Sequence, residues 1–130
     1  MLTTRGNEYY SLRADREKNR IYFSMQGSIP NVNAVRAFLP DWKTTVEEVK
    51  EGFTILGDLS KCEPLPEDVD KLNEETQSWI MSQGCRKVAQ LVGDVSLMSQ
   101  VNAFAEKSGM RNILRAFFYV KGAEMWLDMQ

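Results

Sequence analysis

Two segments constrain the fold more than any others: GFTILGDLS, from Gly52 to Ser60, and CRKVAQLVGD, from Cys85 to Asp94. Each is a short apolar run that ends in a small residue and an aspartate. The strands inside them, FTILGDL and KVAQLV, are apolar on both faces, as strands of a covered parallel sheet are. A helical pattern lies between them. The unit therefore reads as β-α-β, with a right-handed crossover expected. Helices must cover such a sheet, which places the chain in the α/β class.

The rest of the chain extends this unit. EYYSLRA, Glu8 to Ala14, reads as a first strand with Tyr10 and Leu12 on one face. The polar run Asp15 to Asn19 suits a hairpin turn. From Arg20 to Gly27, Ile21, Phe23 and Met25 alternate with Tyr22, Ser24 and Gln26, the period of a strand with one buried face. An N-terminal antiparallel hairpin is expected, preceded by loose residues 1–7. Asn31 or Asn33 can cap the next helix. Val35, Phe38, Leu39, Trp42, Val46 and Val49 form its apolar stripe. Pro40 interrupts the stripe and predicts a kink or two short helices.

Lys61 to Pro66 reads as a loop. A helix over Pro66 to Gln83 follows, with Glu67, Asp68 and Asp70 at the positive end of its dipole. Its buried face is expected to hold Leu65, Val69, Leu72, Thr76, Trp79 and Ile80, with Gly84 as C-terminal cap. Lys87 to Val92 is the next strand. Asp94 or Ser96 caps a further helix carrying Leu97, Val101, Phe104 and Ala105, closed by Gly109. Asn112 to Val120 reads as the last strand. A short helix, GAEMWLDM, ends the chain with Trp126 packed inward. The expectation is a single domain over residues 1–130. It is a mixed sheet of about five strands, an antiparallel hairpin followed by β-α-β-α-β, covered by helices.

Composition excludes several functions. The chain has 130 residues, enough to bury a core without staples, and a net charge of -2. With no basic excess, nucleic acid is not an expected partner. No run of ~18 apolar residues is present, so no membrane span is expected. MLTTRGNEYY lacks the apolar core of a signal peptide, and a cytoplasmic location is expected. There is no histidine. That removes Ser-His-Asp, Cys-His and HExxH chemistry and leaves carboxylates, lysine or tyrosine to any enzyme. Gly57, Gly93 and Ser60 form neither GxxxxGK[ST] nor GxGxxG, so no nucleotide cofactor is expected. Cys62 and Cys85 form no CxxC pair. They read as two reduced thiols, with a structural disulfide as the alternative.

A hairpin ending FSMQG, then a helix, TILGDLS, a second helix, RKVAQLVGD and finally AFFYVKGAEMWL resembles the SpoIIAA-like branch of the STAS domain family. STAS stands for sulphate transporter and anti-sigma factor antagonist. The resemblance spans about residues 8–128. It rests on Gly27, Asp58, the Arg-Lys-Val-Ala run Arg86 to Ala89, and the Ala-x-x-Trp-Leu close at Ala123, Trp126 and Leu127. It implies a STAS-like fold and a regulatory, non-enzymatic protein-interaction module, bacterial in character. It also places partner contacts on the loop and helix after the third strand, at Ser60, Glu63, Leu65, Glu67, Asp68 and Lys71. One departure is plain. Family members carry an Asp-Ser-Ser-Gly phosphorylation motif at that helix start, whereas this chain reads SKCEPLPEDVD. The phosphorylatable serine does not transfer. Glu67, Asp68 and Asp70 stand there instead, either as imitators of phosphate or as ordinary first-turn acids.

Three further sets of residues carry alternatives. Asp58 and Asp94 follow parallel strands, at the edge where α/β folds bind ligands. They read either as Mg²⁺ or acid-base carboxylates of a histidine-free enzyme, or as local loop caps. Met25, Met81, Met98, Met110, Met125 and Met129, with Trp42, Trp79, Trp126, Phe117 and Phe118, read either as core or as a groove for a small lipid-like ligand or partner helix. Phe117 and Phe118 must point to opposite faces of a strand. If helices cover one face only, a ring is left over, which makes Phe117, Phe118 and Tyr119 a candidate homodimer interface. Lys43, Lys50, Arg86, Lys87, Arg111 and Arg115 are scattered among acids and read as solvated surface.

Overall fold

The computed structural model describes residues 4–93, 99, 102–103, 106–107, 109–110 and 112–129. The elements are β1 (Arg5–Gly6), β2 (Tyr10–Asp15), β3 (Arg20–Gly27), α1 (Phe38–Val46), β4 (Thr54–Cys62), α2 (Glu67–Ser82), β5 (Lys87–Val92), β6 (Leu114–Phe117) and α3 (Val120–Asp128). A 3-10 turn over Val32–Val35 precedes α1. The six strands form one mixed sheet in sequential order. β1, β2 and β3 pair antiparallel, and β3 to β6 run parallel.

Sequential order has a consequence for layering. Parallel crossovers of one hand that always step the same way deliver their helices to the same face. α1 and α2 indeed share the first face. Phe38 and Trp42 of α1, with Val69 and Ile80 of α2, pack on Leu12, Ile21, Phe23, Ile55, Val88 and Val92. α3 follows the last strand and closes onto the second face. Its Ala123 and Leu127 bury against Leu56, Ala89 and Leu91, with Tyr22, Phe117 and Trp126 at the margin. The period-two alternation of each strand thus sorts residues between two unequal cores.

Local chemistry explains most boundaries. Asn31 caps the 3-10 turn through its side chain, which accepts from the Ala34 amide. Pro40 is the third residue of α1, where a helix has no internal use for the missing donor. The break expected at Pro40 falls earlier, between the 3-10 turn and α1, and α1 runs on through Pro40 unbroken. α2 begins after Pro66 with three acids in its first turn and is followed by Gly84 at φ +87°.

Four expectations need correction. The sheet has six strands, because Arg5–Gly6 pairs with Ser11–Leu12. Arg5 is not loose: it forms an ion pair of 2.6 Å with Glu48. β4 runs on through Lys61 and Cys62, which shortens the loop expected from Lys61. A bulge makes this possible, since the β3–β4 register shifts between Ser24 and Gln26. The last strand is only Leu114–Phe117, and the chain turns into α3 at Val120. Asp94, Ser96, Leu97, Met98, Val101, Phe104, Ala105 and Arg111 lie outside the described residues. Cys62 and Cys85 are both free thiols.

Candidate functional site

Among the described residues, the second face of the sheet is only partly covered. α3 covers β4 and β5 and leaves the hairpin side of the face open. Pairing aligns Ser11, Ser24, Asp58, Leu91 and Phe117 in one row across β2 to β6, and Arg13, Tyr22, Leu56, Ala89 and Arg115 in the next. The uncovered part of these rows, with Val120 and Glu124 of α3, lines a cleft floored by Leu56 and Leu91. Arg13 lies over the Tyr22 ring at 4.3 Å, a cation-π contact. The Ser11 and Ser24 hydroxyls bond each other at 2.7 Å.

Asp58 is committed locally. Its Oδ1 accepts from the Ser60 amide at 2.9 Å and the Ser60 hydroxyl at 2.6 Å, which holds the bulge at the end of β4. Gly93 lies against the same turn: a Cβ there would meet the Ser60 carbonyl oxygen at 2.6 Å. Among the described residues, no group of three or more His, Cys, Asp or Glu is placed to hold a metal ion. Asp94, the other carboxylate of interest, lies outside the described residues.

α3 is fastened to this face by charge along its C-terminal half. Arg20 is 2% exposed on β3. Its guanidinium donates to Glu124 and Asp128, each at 2.8 Å, and to Thr54 Oγ1 at 2.8 Å. Tyr22 Oη donates to Glu124 at 3.0 Å, and Lys18 pairs with Glu124 at 3.3 Å. Burial alone would lower the Arg20 pKa, but the bonds to Asp128 and Glu124 outweigh it and raise it. Burial likewise pushes Glu124 up, and the bonds from Tyr22 and Arg20 prevail, holding it below the usual carboxylate range. Beside Asp128, at the same end of the helix, Arg86 donates to the carbonyls of Met129 and Leu127, at 3.0 and 3.2 Å. Lys87 donates to those of Trp126 and Met129, at 3.0 and 2.8 Å. Two cations thus satisfy the orphan carbonyls at the negative end of the helix dipole. Sequence reading treated Arg86 and Lys87 as solvated surface. They are instead the cap of α3, and the Arg-Lys-Val-Ala and Ala-x-x-Trp-Leu segments meet in space.

The residues singled out in the sequence fall in two separate places. Ser60, Glu63, Glu67, Asp68 and Lys71 are exposed around the end of β4 and the start of α2. Asp68 is also structural, accepting from the Val32 amide at 2.9 Å. Lys71 pairs loosely with Glu67 at 3.9 Å. Leu65 is buried in the first core. Phe117, Phe118 and Tyr119 divide. Phe117 packs on Trp126, with ring centroids 5.6 Å apart. Phe118 and Tyr119 are 52% and 79% exposed, beyond the strand end.

The apolar residues on the outside are concentrated. Among the described residues, the exposed large apolar side chains are Phe118, Tyr119, Val120, Met125 and Met129. All lie within twelve consecutive positions beside β6, the last strand of the sheet. Met125 lies on the side of α3 away from the buried Ala123 and Leu127, and Met129 follows the helix in extended backbone. The chain matches no protein-family model, and no curated protein is significantly similar to it. No helix among the described residues is long and apolar enough to cross a membrane.

Proposed function

We propose that this chain is a protein-interaction module whose C-terminal segment, Phe118 to Met129, docks onto a second copy. The observation that carries it is the collection of exposed large apolar groups into that one segment, next to a sheet edge. Scattered apolar residues need no explanation, whereas a contiguous group marks a contact surface. Aromatic and methionine side chains are what interface centres favour. Lys121 and Arg115 supply a polar rim. The order of strands and helices supports the further reading of a STAS-like, SpoIIAA-like regulatory protein without the phosphorylatable motif. In that reading the exposed polar end of α2, with Glu63, Glu67 and Lys71, is a second surface for a different protein. The associated expectation of an intracellular, cytoplasmic protein belongs to the same proposal.

A small apolar ligand is the other reading. The cavity between the first face of the sheet and α2 measures about 20 Å³. Ligand pockets hold ~300–1,000 Å³. A lipid-like ligand there requires the helical layer to lift, and the roomier cleft on the second face, about 340 Å³, is open and lined by Ser11, Arg13, Ser24, Asp58 and Glu124, so the geometry favours the interaction module. Both Ser60 bonds fall on Oδ1 of Asp58, which is the arrangement of a local turn cap. Native mass spectrometry of the protein as purified separates the readings. A bare dimer is the expected result. A monomer carrying a few hundred extra daltons would overturn it in favour of a bound small molecule.

A further inference from the structure

The first core contains a small polar site that no other part of the account uses. A cavity of about 20 Å³ lies between α1, α2, Met110 and the sheet, lined by Phe23, Trp42, Thr76 and Gln90 among others. Trp42 and Gln90 are 2% and 5% exposed. The indole Nε1 of Trp42 and the amide Oε1 of Gln90 are both buried without a hydrogen-bond partner. One is a donor and the other an acceptor, and both belong to residues that line the same cavity. Leaving each unmade costs about 1–3 kcal/mol, and native folds avoid that cost for nearly all buried polar groups.

We propose that this cavity is a specific site for one structural water molecule. A water needs about 10–15 Å³ and two to four polar partners. The cavity meets the first requirement. Trp42 Nε1 donates to the water, and the water donates to Gln90 Oε1. Its second proton has the Thr76 hydroxyl oxygen within the lining. That hydroxyl spends its own proton on the Leu72 carbonyl at 2.8 Å and keeps its lone pairs. Gly57 belongs to the design. A Cβ there would meet Phe23 Cδ2 at 3.2 Å and Gln90 Cγ at 3.5 Å, so its absence lets both side chains cross the strand. The water joins the helical layer to the central strand β5 by hydrogen bonds rather than by apolar contact alone.

The test is a water-selective nuclear Overhauser experiment on the full chain, at a pH where indole protons exchange slowly. Trp42→Phe assigns the Trp42 Hε1 signal among the three tryptophans. The expected result is a cross-peak from that proton to a long-lived water. In Gln90→Leu, folded by its amide spectrum, that cross-peak is expected to vanish. A high-resolution crystal structure should show one fully occupied water between Trp42 Nε1 and Gln90 Oε1. No cross-peak in the wild type, a cross-peak that survives Gln90→Leu, an empty cavity, or a direct Trp42–Gln90 hydrogen bond would each overturn the proposal.

Discussion

At the scale of single residues, Arg20 has the most to lose. Its guanidinium is buried and holds Glu124 and Asp128 of α3 together with Thr54. Removing one partner of a buried ion pair strands the other, at a cost of about 3–5 kcal/mol when both are buried. Here both carboxylates reach solvent, so Arg20→Met should cost less, on the order of 2 kcal/mol. Urea unfolding should show a lower midpoint at unchanged slope. The network also sets an acid limit. Glu124 titrates lower in the folded chain than in the unfolded chain. Its contribution is therefore present above the unfolded carboxylate value, ~4.3, and is lost as pH falls through the lower folded value. Thermal midpoints of the wild type should fall as pH drops below about 4, and Arg20→Met should flatten that slope. Gly93 makes a different claim. Its Cβ would meet backbone, not a movable side chain. Gly93→Ala should destabilise by about 1–3 kcal/mol, read from the same unfolding curves. The thiols are quiet by burial, which pushes Cys85 up to about 12 and Cys62, with help from the Glu63 charge, up to about 11. At pH 8 both should alkylate far more slowly in the folded chain than in urea.

At the scale of elements, α3 is the piece whose stability is most separable. Its apolar anchors are Ala123 and Leu127, and its C-terminal half is held by Arg20 through side chains and by Arg86 and Lys87 through backbone carbonyls. Replacing both Arg86 and Lys87 by alanine removes two cations from the C-terminal dipole, worth about 0.3–1 kcal/mol each. Hydrogen exchange in Val120–Asp128 should accelerate while the amides of β4 and β5 stay protected. Equal acceleration everywhere would mean that the cations stabilise the whole fold and not this helix. The same elements show what a reader of the sequence can see. α2 is legible because a long run of one period makes it, and β5 because a short run apolar on both faces marks a covered parallel strand. β1 is not, because two residues have no period and are recognised only by their partner strand. The end of β6 is misread because Phe118, Tyr119 and Val120 favour strand by type, while the start of α3 overrides that preference. The fastening of α3 is hidden for another reason. Arg20 and Glu124 are far apart in the chain. The one local signal is a pair of acids four apart, Glu124 and Asp128. Like charges at that spacing repel unless a cation sits between them.

At the scale of the whole molecule, the two sheet faces divide the labour. The first face carries the larger core under α1 and α2, with an aromatic cluster of Tyr10, Phe23, Phe38 and Trp42. Among the described residues, α3 alone packs on the second face, and the exposed large apolar side chains lie on that helix, the turn before it and Met129 just after it. The hint in the sequence was that two adjacent phenylalanines cannot both be buried by one layer. The structure resolves it with Phe117 inside against Trp126 and Phe118 outside. The central claim is that this outside surface joins two copies of the chain. Sedimentation equilibrium of the wild type and of the double variant Phe118→Ser, Met125→Glu tests it most directly, since neither residue is buried in a core. The expected result is a wild-type mass of twice the chain and a variant that sediments as a folded monomer. A wild type that stays monomeric at high concentration, or a dimer indifferent to both substitutions, would contradict it.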